Sequence, residues 1–173
     1  KAPKRLPREL ERKFDDKKVI GYYGAIESWM DFSILRKILK DLKGVQVVLI
    51  GPVNKTVKKN LSSLEKFKNF VHVDRIDQAA LIPFLQRFDV CVIPFKVNKI
   101  TDAISPVKLY EYLAAGKPVI STKMEACEEI DLVRVAVSKP DFVRLVSEAI
   151  HENSSLEEKE RQENAENNTW EDR

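Results

Sequence analysis

"DVCVIPFKVNKITDAISPVKLYEYLAAGKPVIST", residues 89–122, holds the reading on which the fold turns. It opens on a nearly continuous apolar run, Val90 to Phe95, the pattern of a strand covered on both faces. A polar loop then leads to a short helix that starts hard at Ser105-Pro106 and stops hard at Gly116 and Pro118. A second apolar strand, "KPVIST", follows at once. Strand, crossover helix, strand is the repeating unit of a parallel sheet.

The same alternation runs outward in both directions. "VIGYYGA" (19–25), "VQVVLIG" (45–51), "FVHVD" (70–74) and "VRVAV" (133–137) read as further strands. Between them, "DFSILRKILKDLKG" places Phe32, Leu35, Ile38, Leu39 and Leu42 near a 3.6-residue period and ends at Gly44. "VKKNLSSLEKF" is a weaker helix, and "QAALIPFLQRF" is helical with Pro83 expected to kink it or reset its start. A short "MEACEEI" segment precedes the sixth strand. "DFVRLVSEAI" is amphipathic, with Phe142, Leu145, Val146, Ala149 and Ile150 on one side. About six strands alternating with helices predict an α/β domain with an open parallel sheet wrapped on both faces. Right-handed crossovers would bring the loops after Ala25, Gly51, Asp74 and Phe95 to one rim, where such sheets bind ligands.

The expected boundaries are a charged arm or linker at 1–18, the sheet domain at 19–153, and a tail helix at 154–173. That tail is charged and poor in apolar residues apart from Trp170, so it needs a partner surface. The chain begins at Lys1 and reads as a piece of a longer protein. Its 173 residues suffice for one cored domain. Thirty basic against twenty-seven acidic residues give +3, too mild for a nucleic-acid surface. Two cysteines, Cys91 and Cys127, fit neither a metal site nor a disulfide framework and point to a reducing compartment. With no apolar run near the roughly 20 residues a bilayer requires, the expected location is cytoplasmic.

The helix that begins at Ser105 is the candidate site. Ser105 is a good N-cap, and Pro106 lacks the N–H that a first helical residue cannot use. The amides of Val107, Lys108 and Leu109 then have no intrahelical acceptor and lie at the positive end of the helix dipole. That is an anion site matched to phosphate, and Lys108 can add its charge. Glu111 shares the Lys108 face, and its carboxylate can accept two hydroxyl hydrogen bonds, as from a ribose. The alternative reading is an ordinary surface pair of Lys108 and Glu111, worth about 0.2–0.5 kcal/mol.

Other features read as structural. His72 alternates with apolar neighbours in its strand, and His151 sits near a helix end. Asp74 and Asp77 are spaced like a metal pair, yet no metal is expected. One of Tyr22 and Tyr23 should be core while the other borders the rim; Trp29 either packs locally or faces outward. "GYYG" lacks the third glycine of a dinucleotide fingerprint, and no GxxxxGK[ST] occurs.

Taken together, "VIGYYGAIESWMDFSIL", "VVLIGPV" and "FDVCVIPFKVNKITDAISPVKLYEYLAAGKPVIST" resemble, in order and spacing, the retaining glycosyltransferases of the GT-B fold, family four (glycosyl transferases group 1). The resemblance spans nearly the whole chain. It implies a Rossmann-like three-layer domain that is one half of a GT-B fold, the C-terminal half that holds the donor nucleotide. The N-terminal acceptor domain would be missing, and the tail helix would pack on it. Glu111 resembles the second glutamate of the family's E-x7-E pattern, which holds the ribose. The amides of Val107 and Lys108 resemble those around the diphosphate. Arg75 and Ile76 fall in the region that packs on the base, and Gly24 resembles the glycine that lets the backbone approach the donor phosphates.

The resemblance implies a UDP- or GDP-sugar as donor substrate, no separate cofactor, no metal, no nucleic-acid partner, and an isolated domain that binds nucleotide with little turnover. It also allows membrane association of the full-length protein and a role in envelope polysaccharide biosynthesis. Two departures stand out. Ala103 occupies the position of the first glutamate, with Asp102 beside it. "AIESWMD" carries none of the basic residues that the family often places after its first strand, leaving Lys55, Lys96, Lys99 and Lys108 as candidates. No catalytic residue is assigned. The Ala103 departure keeps a second reading open, a non-catalytic nucleotide-binding or regulatory interaction module.

Overall fold

The computed structural model describes residues 5–102, 107–152 and 154–166. Helix α1 (Arg8–Phe14) precedes strand β1 (Lys18–Tyr23), α2 (Phe32–Asp41), β2 (Val45–Ile50), α3 (Lys58–Leu64) and β3 (Phe70–Val73). Then come α4 (Gln78–Arg87), β4 (Val90–Ile93), α5 (Lys99–Asp102), α6 (Val107–Ala114) and β5 (Val119–Thr122). The described chain closes with α7 (Glu125–Glu128), β6 (Val133–Ala136), α8 (Lys139–Ala149) and α9 (Ser155–Glu166).

All six strands are parallel, in the order β3-β2-β1-β4-β5-β6. The chain works outward from β1 through β2 to β3, then returns to the other side of β1 with β4. That reversal makes the carboxyl end of the β1/β4 pair the switch point of the sheet, where a crevice opens. β1 pairs with β2 from Lys18–Val45 to Tyr23–Ile50, but with β4 only at Ile20–Val90 and Gly21–Cys91. The two central strands therefore part toward the rim.

The apolar runs fold as their patterns require. Every residue of β2 and β4 is buried, because helices cover both faces of the sheet. In α2 the Asp31 carboxylate accepts the Ser33 N–H as N-cap, and Phe32, Ile34, Leu35, Ile38 and Leu39 are buried. Ser138 caps α8 in the same way, and Phe142, Val143, Val146 and Ala149 face inward. Each such large side chain contributes roughly 1.5–3 kcal/mol by leaving water. Pro83 neither starts nor ends α4; it lies inside the helix and is buried.

Both ends depart from expectation. Residues 1–18 were expected as an arm, yet Leu6 and Phe14 are buried and residues 8–14 are helical. Arg87 donates to the carbonyls of Phe14 (2.5 Å) and Lys17 (2.8 Å), so α1 is fastened to the start of the sheet. At the other end, α9 packs on α6 of this same domain. Its buried Arg161 donates to the Gly116 carbonyl at 2.9 Å and pairs with Glu152 at 2.6 Å. The partner surface that the tail needs is thus supplied within the chain, over the described residues; Trp170 lies outside them. No helix among the described residues is long and apolar enough to cross a membrane.

Candidate functional site

Two glycine turns build the rim beside the crevice. Gly24 follows β1 with φ +134°, and Gly51 follows β2 with φ +140°, conformations that favour glycine. The Gly24 N–H donates to the Ile50 carbonyl and the Gly51 N–H to that of Val73, both at 2.9 Å, so each turn continues its neighbour's ladder.

Lys108, in the first turn of α6, reaches across to this rim. A Cβ on Gly24 would lie 2.8 Å from Lys108 Cε and 3.3 Å from its Nζ, so the missing side chain makes room for the lysine. The ammonium sits 5.4 Å from the ring centroid of Tyr22 and 5.3 Å from that of Phe95, within cation–π range of both. Burial pulls its pKa below the ordinary lysine value. Among the described residues it has no carboxylate partner. A half-buried cation held by aromatic faces and lacking a counter-charge is poised for an anion.

Glu111 lies one turn further along. Burial raises its pKa, and no cation offsets that effect. It lines a cavity of about 480 Å³ with Tyr23, Gln78, Leu81 and Ile82. A second cavity of about 250 Å³ is lined by Tyr23, Gly24, Gly51, Arg75, Ile76 and Leu81. Tyr23 and Leu81 border both, so the two form one trough along the carboxyl rim. A larger groove of about 800 Å³ lies between α1 and α4, lined by Leu6, Phe14 and Pro83, and shares no residue with this trough.

The structure therefore gathers Gly24, Arg75, Ile76, Lys108 and Glu111 on one edge. Val107 opens α6 and is exposed there. Ser105, Ala103 and Pro106 lie outside the described residues, and so does the side chain of Asp102. Of the four lysines singled out in the sequence, Lys108 is the one at the Gly24 turn. Lys96 donates instead to the Ser28 carbonyl at 2.7 Å, and Lys55 and Lys99 are exposed.

The neighbouring residues sort out as well. Tyr22 is core, whereas Tyr23 borders both cavities. Trp29 is half-buried and packs edge-on against Phe95 at 6.5 Å. His72 Nε2 is 2.9 Å from the Gly51 carbonyl, a structural hydrogen bond behind the turn. Sequence reasoning missed Phe95 as a wall for Lys108; its place directly after a fully buried strand was the available signal. Among the described residues, no cluster of three or more His, Cys, Asp or Glu side chains is placed to hold a metal ion.

Comparison with known proteins bears on the family and the fold. TuaH of Bacillus subtilis (strain 168), assigned to teichuronic acid biosynthesis as a glycosyltransferase, is 24% identical over 112 residues, 65% of this chain and 28% of TuaH. Sucrose-phosphate synthase from Thermosynechococcus elongatus superposes with a TM-score of 0.73 at 13% identity, over 94% of this chain and 45% of that one. Anabaena HepE, in complex with UDP and glucose, gives 0.71 at 12% identity, over 92% and 47%. The chain thus spans about a quarter of TuaH and under half of these solved chains. The family description "Glycosyl transferases group 1" matches residues 4–169, and this chain belongs to that family.

Proposed function

We propose that this chain is the donor-binding half of a glycosyltransferase that moves a sugar from a nucleoside-diphosphate sugar to an acceptor hydroxyl. The observation that carries the reading is the Lys108 ammonium, without a carboxylate partner among the described residues, laid against the Gly24 turn at the switch-point rim. The diphosphate lies over that turn against the Lys108 ammonium, the ribose hydroxyls meet Glu111, and the base enters the cavity beside Arg75 and Ile76. Transfer leaves a nucleoside diphosphate whose charge grows as the glycosidic bond breaks. A fixed cation in a poorly solvated setting stabilises that growing charge without reorganising. The acceptor and any group that acts on it belong to a further domain, in keeping with the share of TuaH and the solved structures that this chain covers. UDP is the favoured nucleotide, because HepE is described with UDP and glucose. Family membership weighs against a non-catalytic module.

Calorimetric titration with UDP, GDP and their glucose conjugates tests the reading. UDP is expected to bind, and Glu111→Gln to weaken it about tenfold, the loss of a hydrogen bond to a charged group. Absence of binding to all four at millimolar concentration overturns it.

A further inference from the structure

The crevice between β1 and β4 has a floor, and one side chain makes it. Beyond Gly21–Cys91 the two strands no longer hydrogen-bond. The Gly24 N–H turns toward β2. By the alternation of a parallel strand, the amide of Tyr23 turns the other way, toward the gap left by β4. A helix fills that gap: the Tyr112 hydroxyl of α6 accepts the Tyr23 N–H at 3.0 Å, and the two rings meet edge-on at 5.3 Å. Tyr112 is fully buried. From the other side, the Tyr22 hydroxyl donates to the Ala25 carbonyl at 3.0 Å and closes the Gly24 turn.

Lys108 and Tyr112 are four residues apart on α6 and share a face. A hydrogen bond at Tyr112 fixes how high that face stands over the end of β1. Lys108, one turn nearer the rim, takes its height from it. We infer that Tyr112 is a positioning residue for this site: by holding the Tyr23 amide, its hydroxyl sets how the Lys108 ammonium is laid against the Gly24 turn, and so the surface that a diphosphate meets. This rests on the donor-binding reading above. Tyr112 itself lies below the ligand and does not touch it.

The test compares Tyr112→Phe with the unaltered chain in calorimetric titrations with UDP and with uridine, which lacks the phosphates. UDP affinity should fall about tenfold, and uridine affinity should stay within about threefold, because the base and ribose use Arg75, Ile76 and Glu111 rather than Lys108. Val146→Ala, in α8, serves as the control. It should lower the melting temperature and leave UDP affinity unchanged. Hydrogen exchange of the Tyr23 amide in the unaltered chain gives a second measurement, expected to slow when UDP occupies the site above it. Equal UDP affinity in Tyr112→Phe, equal losses of UDP and uridine, or a Tyr23 amide indifferent to UDP overturns the inference. If the unaltered chain binds no UDP, the donor-binding reading falls first and takes this one with it. If it binds UDP and Tyr112→Phe binds as well, only the role of Tyr112 is lost.

Discussion

Gly51 lies so close to Gly24 that a Cβ on Gly51 would sit 2.1 Å from the Gly24 carbonyl oxygen. The turns after β1 and β2 are therefore stacked backbone on backbone. Lys108 rests against the same Gly24 from the α6 side, so any change at Gly51 is transmitted to the cation.

Gly51→Ala should accordingly be severe. The substitution meets both a φ of +140° and a contact with main-chain atoms that cannot rotate away. Backbone strain of this kind costs of order 1–3 kcal/mol, before any displacement of the neighbouring turn. A loss of about 3 kcal/mol lowers the melting temperature by roughly 6–12 °C in a chain of this size. Differential scanning calorimetry reads the shift, and a change under 2 °C would show that the two turns are not coupled.

Lys108 should pull stability and binding in opposite directions as pH rises. Its pKa in the fold lies below the ordinary lysine value of 10.5, so between the two the unfolded chain holds the extra proton. The free protein therefore gains stability as pH rises through that window. Binding of a diphosphate needs the charged form, so UDP affinity should fall over the same window. Lys108→Met should remove both trends, leave the free protein as stable or more stable at neutral pH, and weaken UDP about 10- to 100-fold. Chemical denaturation and calorimetry at several pH values check the pair of slopes. Slopes of the same sign would contradict the assignment.

Arg161→Met tests how α9 is held. The change removes the donor to the Gly116 carbonyl and one of two guanidinium partners of Glu152, whose other partner is Arg134. Truncating a buried pair leaves the remaining charge poorly compensated, and the expected loss is about 3 kcal/mol. The urea midpoint should drop, and amide exchange should rise first in α9. Unchanged exchange there would mean that other contacts hold the helix.

The strands and most helices were legible because burial on both faces leaves continuous apolar runs, as in β2 and β4. α1 was not, since its outward charges hide one inward anchor, Phe14, with Leu6 buried just before it, and its fastening comes from Arg87, far away in sequence. α9 was legible as a helix but not as to its partner. A glycine at 116 that admits Glu158 and Gln162 above it cannot be recognised as a docking point until the fold is known. At the rim, Lys108 and Glu111 could be picked out from their spacing on one short helix. Their relation to Gly24 could not, because it depends on β1 and β4 becoming neighbours. Tyr112 carried no signal of its own in the sequence; that its hydroxyl receives a main-chain amide is a property of the assembled sheet.

The parting of β1 from β4 also governs how this chain can be made. The bond from Val19 to Asp89 closes a span of 70 residues, and that from Tyr23 to Tyr112 a span of 89. Such distant closures are slow to form. On a ribosome the carboxyl end of the first strand must wait, paired on one side only, until α6 has left the exit tunnel. A nascent chain halted before that point has an open sheet edge and nowhere to hold a ligand.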